Sequence, residues 1–124
     1  MEKTTQDILN EAAELLSQEG SWSKGAFFKA KPNSKGCSMC AHGAIAYCGN
    51  RAIREMIEEN KLTDAASATS NGISGWGGDV NSQKNNLKQA HNNANKVGLN
   101  YGFNDAPQTT QEQVINKLHE AAQL

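Results

Sequence analysis

At 124 residues the chain has room for one hydrophobic core, and a single helical domain over residues 1–124 is the organisation expected. Apolar residues make up 37%, with Ile, Leu, Val and Phe numbering only 20, and the mean hydropathy is −0.67, so that core is thin and rich in Ala. Twelve basic against thirteen acidic residues leave a net charge of −1, which supplies neither the self-repulsion that drives disorder nor the basic surplus of a nucleic-acid binder, and no window nears the ~18 apolar residues of a membrane span.

The first residues, Met1-Glu2-Lys3-Thr4-Thr5, are polar and lack the apolar run of a secretory signal, so a cytoplasmic protein is expected, in the host cytoplasm if a phage encodes it. Thr4 or Thr5 can cap a first helix over 5–18, in which Ile8, Leu9, Ala12, Leu15 and Leu16 recur at helical spacing and Gly20 provides the stop. Residues 21–36 place Trp22, Phe27 and Phe28 among Lys, Gly, Ser and Pro, which reads as a loop pinned to the core by its aromatics. Lys24, Lys29, Lys31 and Lys35 make its surface basic, too weakly for committed phosphate binding.

A second helical stripe runs over 40–59 through Ala44, Ile45, Cys48, Ala52, Ile53, Met56 and Ile57. Gly49-Asn50 interrupts it, so a kink or two short helices are expected there. Residues 61–83, with Gly72, Gly75, Gly77 and Gly78 around Trp76, read as the long loop, and Trp76 as an exposed interaction anchor. Leu87, Ala90, His91, Ala94 and Val97 define a helix over 84–97 that Gly98 closes. After a turn over 101–107, Thr109 and Glu112 have capping-box spacing, and Val114, Ile115, Leu118, Ala121 and Ala122 form a last helix over 110–123. The fold expected is an all-α bundle of about four helices with two long loops and no strand.

Trp22-Ser23-Lys24-Gly25-Ala26, Cys40-Ala41-His42-Gly43-Ala44 and Phe103-Asn104-Asp105, in that order, resemble an uncharacterised family of small domains from actinobacteria and phages. Its motifs are Trp-x-x-Gly-Ala, Cys-Ala-x-Gly-Ala and a C-terminal Trp-Asn-Asp, in which Phe103 here replaces the Trp. The resemblance implies a shared architecture and transfers no catalytic residue.

Cys37, Cys40, His42 and Cys48 offer soft ligands, but a structural zinc site needs a second ligand pair, and His91 and His119 stand alone in the sequence; no metal or cofactor is expected. Three clustered cysteines also make a poor disulfide framework, so free thiols are the expectation. Cys40 at a helix start is either a packed small hydrophobe, in which case Cys40→Ser costs at least as much stability as Cys40→Ala, or a nucleophile whose pKa the helix N-terminus lowers. In the second case His119 or His91 would be the base and Asn104 or Asp105 its orienting partner.

Asn104-Asp105 suit the organisation of the turn before the last helix, and Asp105 also suits a ligand donor while an aromatic stacks on a ring. The reading that follows is a non-enzymatic small binding protein, a phage or mobile-element accessory that sequesters a small host ligand or blocks a host protein. Its site is Trp22, Phe27, Cys40, His42, Phe103, Asn104 and Asp105, with self-association open. The alternative is a hydrolase or transferase built on Cys40, His119 and Asp105.

Overall fold

A computed structural model describes residues 3–30, 37–70 and 81–124. Trp76, its flanking glycines, Lys31 and Lys35 lie outside the described residues. The described chain folds as α1 (Thr5–Leu16), β1 (Phe28–Ala30), β2 (Cys37–Met39), α2 (Ala41–Gly49), α3 (Arg51–Glu58), α4 (Leu62–Ser70), α5 (Asn81–Lys96), α6 (Tyr101–Asp105) and α7 (Gln111–Ala122). The expectation of about four helices is therefore corrected to seven among the described residues, together with a two-stranded ribbon.

The first helix starts where a capping box closes: the Thr4 hydroxyl accepts from the Asp7 N–H at 3.0 Å and the Asp7 carboxylate accepts from the Thr4 N–H at 3.1 Å. Ile8, Leu9, Ala12, Ala13 and Leu16 are buried against α2, α5 and α7, while Leu15 packs at the rim of the core. Past Gly20, whose φ of +75° suits glycine, the chain does not stay a loop. Trp22 bridges Met39 in parallel, and β1 pairs β2 antiparallel with Phe28 opposite Met39. Strands of three residues carry no readable alternation, which is why this ribbon escapes a pattern search.

The helical stripe over 40–59 is two helices that meet at Gly49-Asn50, one of the two outcomes expected there. Asn50, at φ −129° and ψ 115°, ends α2 by donating its N–H to the Ala46 carbonyl, and starts α3 by accepting the Ile53 N–H on Oδ1 at 3.0 Å. Eight of the nine α2 residues are buried, as befits a helix at the centre of a small fold. Its neighbour α3 has one buried edge, Ile53 and Ile57, and closes in a Schellman motif with Asn60 at φ +62°. A fourth helix occupies part of the expected long loop, burying Ala65 and Ala68 beside α3 and β1.

Gly98 at φ +85° closes α5, with the Leu99 N–H reaching back to the Ala94 carbonyl. The expected turn over 101–107 holds the short α6, capped by Asn100. The final capping box is Thr110 with Gln113, one residue beyond the expected Thr109 and Glu112, because Thr109 is itself buried. One hydrophobic cluster draws on both strands and every described helix, α6 contributing the partly buried Phe103.

Candidate functional site

The ribbon, the start of α2 and α6 are joined by a single buried amide. Asn104 Oδ1 accepts from Trp22 Nε1–H at 2.8 Å and from the Ala41 N–H at 3.0 Å. Its Nδ2 donates to the Ser23 carbonyl at 3.1 Å and to Asp105 Oδ1 at 2.9 Å. Asp105 Oδ1 also accepts the Gly25 N–H at 2.9 Å. With 1% of its surface exposed, Asn104 has no water to replace these partners, so its position dictates where Trp22, Gly25 and the first turn of α2 lie. Lys24 completes the joint: its ammonium lies over the Trp22 ring and donates to the Ala106 carbonyl at 2.6 Å, at the C-terminal end of α6.

The ribbon crosses α2 at Gly43. A Cβ there would stand 2.4 Å from the Phe27 carbonyl oxygen, the same oxygen that accepts the Cys40 N–H at 3.2 Å. Only a residue without a side chain admits that backbone.

A cleft of about 460 Å³ opens beside this joint, lined by Gly25, Ala26, Phe27, Cys40, Ser70, Tyr101 and Asp105. Phe27 and Tyr101 meet edge to face at 5.4 Å, and 54% of Tyr101 stays exposed. Cys40 is the N-cap of α2, its Sγ accepting the Gly43 N–H at 3.4 Å. Burial pushes its thiol up to about 11, against the pull of the Gly43 and His42 N–H groups and with a smaller push from Asp105. The lowered pKa that a nucleophile at a helix start requires is thus corrected: the helix end acts on Cys40, and burial outweighs it. His119 Nδ1 lies 3.2 Å from Asn10 Oδ1, in a contact between α7 and α1, and makes no hydrogen bond with Cys40 or Asp105.

A family of unknown function, DUF6197, matches over residues 1–124. The chain belongs to that family. No curated protein and no solved structure matches it.

In this DUF6197 chain the residues singled out from the sequence divide by place. Phe27, Cys40 and Asp105 line the cleft. Trp22 and Asn104 lie behind it, in the joint that holds Asp105. Phe103 is half-buried under the Lys117 ammonium. His42 is buried, its Nε2–H donating to the Leu99 carbonyl at 2.8 Å. That bond leaves His42 Nδ1 as acceptor for His91 Nδ1–H, also at 2.8 Å, and the near-parallel rings meet through their edges. Burial lowers the pKa of both rings, that of His91 to about 3 with a further contribution from His42, so the pair is neutral at pH 7.

Sequence reasoning missed Tyr101, Gly25, Ala26 and Ser70 as cleft residues, and it missed the pairing of His42 with His91. An aromatic beside Gly102 is the only local signal for Tyr101; Ser70 carries none. The three cysteines are buried and not joined in disulfides, and among the described residues no group of three or more His, Cys, Asp or Glu is placed to hold a metal ion. No described helix is long and apolar enough to cross a membrane.

Proposed function

We propose that this DUF6197 protein is a non-enzymatic binding protein that holds a small molecule in the cleft between the ribbon, the start of α2 and α6. The observation that carries the reading is the cleft itself, of a volume usual for small-molecule sites, with two aromatic rings along it and one fixed carboxylate at its wall. Its Cys40 thiol is protonated at neutral pH and without a histidine partner, which favours binding over thiol chemistry. The resemblance of the three motifs to small phage and actinobacterial domains supports a role as a cytoplasmic accessory protein that sequesters a host metabolite. Amide chemical shifts recorded against a metabolite mixture test this. Perturbations grouped on Gly25, Ala26 and Tyr101 and lost in Tyr101→Ala are expected; shifts confined to other surfaces would refute it.

A further inference from the structure

The polar groups of the cleft define the charge of what it accepts. Among the described residues that line it, the one group charged at neutral pH is the Asp105 carboxylate; Ser70, Tyr101 and Cys40 present neutral hydroxyl and thiol groups. The carboxylate is held rigidly from one side. Both of its hydrogen bonds, from the Gly25 N–H and Asn104 Nδ2, end on Oδ1, and no described residue bonds Oδ2.

No described lysine pairs with it. Lys24 spends its ammonium on the Ala106 and Pro107 carbonyls, and Lys29, whose Nζ comes within 3.6 Å of a Cβ built on Gly25, makes no ion pair with Asp105. Ion pairs among the described residues are Lys3 with Glu11 and Lys61 with Glu59, both elsewhere. A preorganised carboxylate, paired with no cation among the described residues and with one oxygen that none of them bonds, thus stands at the wall of a cleft whose other features are the rings of Phe27 and Tyr101.

An anion placed there would meet Asp105 as a like charge. A neutral aromatic would satisfy the rings and leave Oδ2 to water. A protonated amine on an apolar body satisfies both, giving Oδ2 a charge-assisted hydrogen bond and the ring faces a cation or an apolar surface. We infer that the cleft takes an organic ammonium ion, its charged head on Asp105 and its apolar body along Phe27 and Tyr101. This rests on the cleft being the ligand site.

Three probes of one shape separate the two statements: phenethylammonium, phenethyl alcohol and phenylacetate, each titrated at pH 7 while the amides of Gly25, Ala26 and Tyr101 are followed. The ammonium is expected to bind roughly tenfold more tightly than the alcohol, with phenylacetate weakest, a ratio equal to one charge-assisted bond over a neutral one. Asp105→Asn keeps an oxygen for the Gly25 and Asn104 bonds while removing the charge, so it should erase the preference without altering the melting temperature. An alcohol that binds as tightly as the ammonium, or a preference that survives Asp105→Asn, overturns the inference and leaves the cleft as a site for neutral ligands. If none of the three moves those amides, the cleft reading and the inference fall together.

Discussion

Replacing Asn104 by Ala removes a side chain that is one acceptor for two donors and one donor for two acceptors. The Ala41 N–H, buried in the first turn of α2, then has no side-chain partner, and Trp22 Nε1–H loses its acceptor within the joint. A buried donor left unmade costs about 1–3 kcal/mol, so two of them, with the small cavity left by the amide, come to about 3–5 kcal/mol. Urea unfolding of wild type and Asn104→Ala at constant m-value measures this directly. A double-mutant cycle with Trp22→Phe isolates the indole bond, because Trp22→Phe should cost about 1 kcal/mol less when Asn104 is already Ala. A loss below about 1 kcal/mol for Asn104→Ala, or a vanishing coupling energy, would mean that packing holds the three segments together and the amide is incidental.

Gly43→Ala pushes a Cβ against the Phe27 carbonyl and should cost about 2–4 kcal/mol, whereas Gly49→Ala, which meets the movable tips of Leu87 and Ile8, should stay within about 1 kcal/mol of wild type; equal urea midpoints for the two would refute the close approach. Cys40→Ser places the preferred N-cap oxygen before Gly43 and should cost less than Cys40→Ala, at about 1–2 kcal/mol, reversing the order expected from packing alone; a more stable Ala variant would show that the cap contributes nothing. His91 has a folded pKa near 3 against 6.5 for an unperturbed imidazole, so the unfolded chain takes up its proton first as pH falls. Its contribution is fully present above about pH 6.5 and about 2 kcal/mol should be lost between pH 7.5 and pH 5, with His42 adding in the same direction. An imidazole signal of His91 that titrates near pH 6.5 in the folded protein would contradict this.

The helices readable in advance were those with contrast. In α1 and α7 large apolar residues recur every three or four positions between polar ones, and a threonine stands before each. The Gly49-Asn50 break was also visible, since Asn caps well and glycine weakens a helix interior. What failed to show was structure whose cause is tertiary. The fourth helix buries only Ala65 and Ala68 among Ser and Thr, too faint a stripe to distinguish from a loop. The ribbon exists because Phe28 finds Met39 across it and the Phe27 backbone lies on Gly43. The capping box slipped by one because two consecutive threonines each have a suitable side chain three residues on, and only burial of Thr109 chooses between them. At the site the motif residues were recognisable as a set, but the bonds that unite Trp22, Ala41 and Asn104 span 63 to 82 positions, distances over which no local periodicity speaks.

Asn104 and Asp105 divide one task between neighbours in a five-residue helix. Asn104 faces inward at 1% exposure, and its amide has the acceptor and the donors needed to close a joint among three segments without burying a charge. A carboxylate in its place would accept from Trp22 and Ala41 but could not donate to Ser23, and it would put a second negative charge beside Asp105. Asp105, one residue on, is exposed, so its charge stays solvated while its Oδ1 takes the remaining Asn104 hydrogen and the Gly25 N–H. The amide therefore does more than stabilise the fold: by donating to Asp105 it directs that carboxylate's second oxygen away from the joint. The dipeptide thus couples the packing of the core to the geometry of the cleft, and a change at Asn104 should disturb ligand binding even where the chain still folds.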